Sequence, residues 1–248
     1  MNEKDTPSVF VILNGDDFGY SQGVNRGILE AINNGILTST SVMVHRKTAW
    51  EAKKYLRKRK DISVGIHLDY TEEGIRRWTG MLSMLTWTEQ KMKTELQRQI
   101  DTFTKIIGRL PDHIDSHHHI HWLTRCRPIV LQFAKVNNIP VRSADARFEL
   151  GFYGRSLRRW NDTHAVSPEK LIHVLQKLQP GIHEIMCHPG YVDLELKKTG
   201  TTYLSQREHE VLSLTSPLVK KFIQQQTRIK LITWKDVISL KRNQKNPS

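Results

Sequence analysis

The sequence predicts an α/β protein, a distorted (β/α) barrel of about seven parallel strands in a single domain. Three observations lead there. Strand-like and helix-like segments alternate along the chain. The 248 residues suit one barrel-sized unit, and no internal repeat, linker or low-complexity break divides residues 1–248. Side chains able to do chemistry gather at the C-terminal ends of the strand-like segments, the face on which parallel α/β folds carry their sites.

The apolar run Val9–Asn14 reads as a strand buried on both faces. It leads into Gly15-Asp16-Asp17-Phe18-Gly19, after which Ser21 caps a helix with Val24, Ile28, Ala31 and Ile32 on one side. Thr38–Val44 is a second strand, Ala49–Lys60 a basic helix and Ile62–Leu68 a third strand. Thr71–Thr86 lacks a period and reads as a long functional loop. Thr88 opens an amphipathic helix through Met92, Leu96, Ile100, Phe103 and Ile107, closed by Gly108. The tract Asp112–His121 is the fourth strand and its exit, Pro128–Val136 a helix and Pro140–Ser143 a fifth strand. A second long loop spans Ala144–Val166, and Ser167-Pro168-Glu169 starts the next helix. Gly181–Cys187 is the sixth strand, Ser205–Thr227 is helical with a break at Pro217, Lys230–Thr233 is the seventh strand and Trp234–Leu240 the last helix.

Composition narrows the function. The formal net charge is +13, spread over Lys53–Lys60, Arg155–Arg159 and the tail from Lys241. No zinc-finger spacing or RNA-binding aromatic motif accompanies it, so nucleic acid is not the expected partner, while weak attraction to an anionic membrane surface stays open. Two cysteines and a short first apolar run fit a cytoplasmic protein with no transmembrane segment.

The chemistry collects at one rim. Asp16 and Asp17 follow the first strand, and His67 lies in the third. Asp115, His117, His119 and His121 lie in or after the fourth, where strand alternation would turn all four the same way. Arg142 ends the fifth strand and His188 follows the sixth. Each has an ordinary reading alone: turn aspartates, a packed core histidine, an arginine paired with an acid. Together they suit one carboxylate and two imidazoles around a divalent ion, with a neighbouring carboxylate as general base and a histidine as acid, an arrangement for hydrolysing an amide or ester. A phosphoester hydrolase with a similar ligand set, and a basic binding module without catalysis, are the rival readings.

Five motifs occur in order: Asn14–Gly19, Gly35–Ser41, Val64–Leu68, His113–His121 and Glu184–Gly190. Together they resemble the YdjC-like carbohydrate deacetylase family, which includes chitooligosaccharide and hopanoid-associated deacetylases. The resemblance implies a distorted barrel, one divalent metal ion (Mg2+ or Zn2+), and removal of acetyl groups from an N-acetylated sugar. It matches Asp17, His67 and His117 to metal ligands, Asp16 to the base and His188 to the acid. Phe152 and Tyr153 match a substrate-side loop, and Arg142 is assigned to the substrate and to orienting Asp16. Asp115 and His119 are placed behind the ligands, Asp115 as an orienting group. The resemblance also points to a homodimer, and the basic surface is compatible with a lipid-linked sugar.

Overall fold

The computed structural model describes residues 8–70, 86–155 and 161–245. Most of the expected loop at 71–86, and most of the basic run at 155–159, lie outside them. Among the described residues seven strands form one parallel sheet: β1 (Val9–Phe18), β2 (Ser39–Val42), β3 (Ser63–Leu68), β4 (Ile114–Ser116), β5 (Arg147–Glu149), β6 (Gly181–Cys187) and β7 (Ile229–Leu231). The order is β4-β3-β2-β1-β6-β5, with β7 paired to the start of β1. Such a sheet, curved into a half-barrel and covered by helices, is the fold expected from the alternation.

The helices are α1 (Gln22–Asn33), α2 (Glu51–Tyr55), α3 (Glu89–Ile107), α4 (Arg127–Asn137), α5 (Pro168–Lys177), α6 (Leu194–Lys198), α7 (Ser205–Thr215), α8 (Pro217–Gln225) and α9 (Trp234–Lys245). Local chemistry sets their ends. The Ser21, Thr88 and Ser167 side chains accept from the backbone N–H of Val24, Lys91 and Lys170. Gly108 closes α3 at φ 87°, a left-handed conformation that costs glycine little.

Alternation along β1 divides its side chains. Val9, Val11 and Leu13 pack outward in the main core, while Ile12 joins Ile232, Trp234 and Val237 in a second apolar cluster. Residues of the same parity, Asn14 and Asp16, continue from Ile12 and are buried and polar. One end of the barrel is therefore closed by apolar groups from α9, and the end at the strand C-termini holds the charges.

Three expected elements differ. The basic helix is shorter: a 3-10 turn at Lys47–Trp50 runs into α2, which stops at Tyr55. Arg57-Lys58-Arg59-Lys60 then offers four like charges and no apolar side chain to extend a packed face. Pro140–Ser143 makes a single bridge, Ile114 to Val141, instead of a strand. Ser143 then turns at φ 63°, and the Asp145 carboxylate accepts from the Val141 N–H. The strand itself lies later, at Arg147–Glu149. The histidine tract leaves the strand at Ser116 and continues as a 3-10 segment, His117–Trp122, with His118 and His119 at φ 54° and 55°. Alternation therefore ends before the histidines it was expected to align.

Candidate active site

Neighbouring strand residues normally face opposite ways, yet both Asp16 and Asp17 reach the site. The β1–β2 register shifts between Gly15 and Phe18, and Asp17 sits at φ 72°. An aspartate tolerates this left-handed conformation better than most side chains. Asp17 Oδ1 lies 3.3 Å from His67 Nε2 and 3.2 Å from His117 Nδ1. That oxygen is buried and no N–H is aligned to donate to it. Ligand atoms bound about 2.0–2.2 Å from one tetrahedral ion stand roughly 3.3–3.6 Å apart, and somewhat closer at octahedral angles. The orphaned oxygen and the two facing nitrogens thus fit a divalent ion. The other oxygen, Oδ2, accepts from Arg207 Nη2 at 2.7 Å. Burial opposes ionisation of Asp17, but the Arg207 charge and the two imidazoles outweigh it and hold the carboxyl well below the usual range.

His67 is fixed from behind. It pairs in register with Asp115 across β3–β4, and its Nδ1–H donates to Asp115 Oδ1 at 2.8 Å. A carboxylate there sets the tautomer and leaves Nε2 facing Asp17. Burial disfavours the charged ring, but Asp115, followed by Asp16 and Asp17, raises the His67 pKa well above its ordinary value. The Ser41 hydroxyl donates to Asp115 Oδ2 at 2.8 Å.

Beneath these groups lies a buried box of charges. Arg142 donates from Nη1 to Asp16 Oδ2 and from Nη2 to Asp16 Oδ1, both at 2.7 Å. It also reaches Asp115 Oδ2 at 2.8 Å and Glu184 Oε1 at 2.7 Å. Asn14 Nδ2 donates to Asp16 Oδ1 at 2.7 Å. Asp16 Oδ1 thus accepts two hydrogen bonds, whereas Oδ2 accepts one and keeps a lone pair. Burial pushes the Asp16 pKa up, but Arg142 more than reverses this and holds it below the ordinary value. Burial raises the Glu184 pKa against the pull of Arg142.

The expected site residues separate into groups. Asp16, Asp17, His67, His117 and Asp115 come together. Arg142 is 1 % exposed, with its guanidinium enclosed by three carboxylates. It holds Asp16 and does not face a substrate, because all its donors are turned inward to these carboxylates. Phe152, also 1 % exposed, packs in the core instead of lining the site. Tyr153 stacks on Tyr203 with ring centres 5.1 Å apart, and its ring lies 5.7 Å from that of His188. His119 leaves the cluster to stack on Trp122 at 4.2 Å, and burial, then Arg142, lowers its pKa to about 4. His121 pairs with Ser116 Oγ at 2.5 Å, and burial lowers it to about 3. His113 stacks on Trp234 at the closed end of the barrel, and His118 packs against the His117 ring. His188 is half-buried, and desolvation of its ring lowers its pKa to about 4 although Asp17 and Asp16 act to raise it.

Arg207, Glu210, Tyr203 and Glu184 were not anticipated. Arg207 and Glu210 lie on α7 at the helical spacing shared with Val211 and Leu214, and all four are buried. Two charges on an otherwise apolar stripe were the available signal. Glu210 accepts from the Tyr203 hydroxyl at 2.5 Å and from the His188 backbone N–H. Burial raises its pKa to about 8.

Among the described residues, two groups of three side chains could hold a metal: Asp17, His67 and His117, and Asp16, His67 and Asp115. The second shares His67 and is bridged by Arg142, whose cation occupies the place of an ion. The fold and site therefore define a (β/α) barrel carrying one Asp-His-His cluster on its C-terminal rim. The chain belongs to the YdjC-like protein family, whose model matches residues 10–225. It is 32% identical to a carbohydrate deacetylase of Geobacillus stearothermophilus, over 93% of this chain and 99% of that protein. It is 30% identical to a chitooligosaccharide deacetylase of Yersinia enterocolitica, over 87% of this chain and 94% of that one. The crystal structure of an Enterococcus faecalis protein superposes with a TM-score of 0.78 at 26% identity, covering 93% and 99% of the two chains. A family 4 carbohydrate esterase from Streptomyces lividans shares the fold, with a TM-score of 0.54 at 11% identity over 90% of this chain and 91% of that one.

Proposed function

We propose that this protein is a metal-dependent carbohydrate N-deacetylase, which hydrolyses the acetamide of an N-acetylated sugar to acetate and a free amine. The observation that carries the reading is the buried Asp17 Oδ1, without an aligned hydrogen bond, between His67 Nε2 and His117 Nδ1, beside an Asp16 held by Arg142. The names of the relatives, carbohydrate deacetylase and chitooligosaccharide deacetylase, agree with it. Asp17, His67 and His117 would hold one divalent ion, Zn2+ or Mg2+. When bound, the ion supplies Lewis acidity to the acetyl carbonyl and lowers the pKa of the attacking water.

The chain's own groups do the rest. Asp16 takes a proton from the water on the free lone pair of Oδ2, with Arg142 fixing the carboxylate's orientation. Asp115 keeps the His67 ring in one tautomer. His188 gives a proton to the departing nitrogen. Desolvation keeps its ring neutral in the free protein, so it takes up that proton from solvent as negative charge develops beside it in the substrate complex. Tyr153 offers a ring next to His188 for one face of the sugar.

The second metal-capable group is bridged by Arg142, which argues against a two-metal phosphoester hydrolase. A basic binding module has no use for the enclosed charges. Within the same reading we place the protein in the cytoplasm, acting as a homodimer on a sugar that can be lipid-linked. Two free, buried cysteines agree with a reducing compartment, and no described helix is long and apolar enough to cross a membrane.

The test is acetate release from a panel of N-acetylated sugars by metal-stripped protein resupplied with single metals. Asp16→Asn should keep the wild-type metal content and lose about a hundred- to ten-thousand-fold in turnover. No acetate from any sugar with any metal, or near-normal turnover by Asp16→Asn, would overturn the assignment.

A further inference from the structure

We propose that Arg207 determines which metal ion the site accepts, by holding Asp17 to a single coordinating oxygen. The inference rests on the reading of Asp17, His67 and His117 as metal ligands. Asp17 presents its two oxygens to different partners: Oδ1 faces the imidazoles, and Oδ2 accepts from Arg207 Nη2 at 2.7 Å. Arg207 has little room to release it. The residue is 3 % exposed. Its Nε donates to the Tyr203 carbonyl at 3.2 Å and its Nη1 to the His188 carbonyl at 3.4 Å. Its guanidinium carbon lies 5.7 Å from the Tyr20 ring centre and 5.8 Å from that of Tyr203. The backbone is tied as well, since the Arg207 carbonyl accepts from the Gly190 N–H at 3.2 Å.

A carboxylate clamped this way offers one oxygen beside two imidazole nitrogens. That compact, nitrogen-rich set suits a small borderline-soft ion such as Zn2+. Ca2+ takes six to eight oxygens and commonly uses both oxygens of a carboxylate, so the clamp works against it. The guanidinium also offsets the charge of Asp17, which weakens the site most for ions held mainly by Coulomb attraction. Without Arg207 the carboxylate can turn and present both oxygens, at its full charge.

The experiment titrates chelator-stripped wild type, Arg207→Met, Arg207→Lys and Asp17→Ala with Zn2+ and with Ca2+, by competition against a chromogenic chelator at one pH. Wild type should bind one Zn2+ per chain and Asp17→Ala none. The Zn2+-over-Ca2+ preference should fall about tenfold or more in Arg207→Met, the usual scale for losing a group that orients a ligand. It should fall less in Arg207→Lys, which can keep one donor on Oδ2. An unchanged preference in Arg207→Met on an Asp17-dependent site overturns the inference and leaves the metal site standing. Zn2+ binding that ignores Asp17→Ala overturns both. Should Arg207→Met not fold, infrared difference spectra of the wild type with and without Zn2+ decide. Widely split carboxylate stretches of a one-oxygen ligand support the clamp, and the narrow pair of a two-oxygen chelate overturns it.

Discussion

Glu210 is the buried acid that the hydrolytic chemistry does not use. It accepts from the Tyr203 hydroxyl and the His188 backbone N–H, joining the aromatic wall to the turn that carries His188. Burial raises its pKa to about 8, further than Tyr203, His188 and Arg207 can lower it. The unfolded chain ionises this group near its ordinary value of 4.5, so between about pH 4.5 and 8 the folded chain holds the extra proton. Stability from this group is therefore greatest at low pH and declines as pH rises through that window. Glu210→Gln should flatten this part of the stability-versus-pH curve, read as denaturation midpoints from pH 5 to 8.5. An equal slope in both proteins would remove Glu210 as the cause. The residue also shows what sequence conceals. Asp16, Asp17, His67 and His117 were legible because each is polar where an apolar strand ends or packs. Glu210 and Arg207 share a helical stripe with Val211 and Leu214, which marks them as buried but names no partner, and only the fold brings Arg207 to Asp17.

Packing between elements fixes the rim. Gly27 on α1 lies against Gly190, so that a Cβ at Gly27 would stand 2.4 Å from the Gly190 Cα. No flexible side chain is there to yield, because the obstacle is backbone. Gly190 is also tied to Arg207 through its N–H, and Tyr191 N–H donates to the Gly23 carbonyl at 2.9 Å. Helix α1 thus holds the His188-Pro189-Gly190 turn at contact distance. Gly27→Ala should cost about 1–3 kcal/mol, as overpacking does, and should lower turnover more than zinc affinity, because the turn carries His188 and no metal ligand. Paired denaturation and zinc titration of the variant check this; zinc affinity falling as far as turnover would refute it. The same scale explains the elements that the pattern misplaced. Pro140–Ser143 follows a helix where the alternation calls for a strand, but a positive φ at Ser143 and the Asp145 cap end it after one bridge, at Val141. The histidine tract looked like an extended strand because periodicity cannot register two consecutive left-handed residues, His118 and His119.

Across the whole molecule, the barrel separates its interior by polarity. Apolar groups around Ile12 and Trp234 close one end, and ionisable groups fill the other. The alternating parallel architecture was legible because each long element carries its own period. The pairing of β7 with β1 was not, since it rests on three residues at each strand. The candidate metal ligands are spread across this fold: Asp17, His67 and His117 are successively 50 residues apart, on β1, β3 and the segment after β4. An unfolded chain does not assemble them, so an ion they share binds the folded state and stabilises it by mass action. At a free ion concentration of one hundred times Kd the gain is about 2.7 kcal/mol. For a chain of this size that corresponds to a rise of roughly 5–10 °C in Tm. Thermal scans of chelator-treated protein with and without Zn2+ should show this shift in the wild type and in Asp16→Asn, which keeps all three ligands. Asp17→Asn should lose most of it, because the amide lacks the negative charge with which Asp17 would hold the ion between the two imidazoles. A shift of equal size in Asp17→Asn would place the ion elsewhere in the fold and separate the rim chemistry from metal binding.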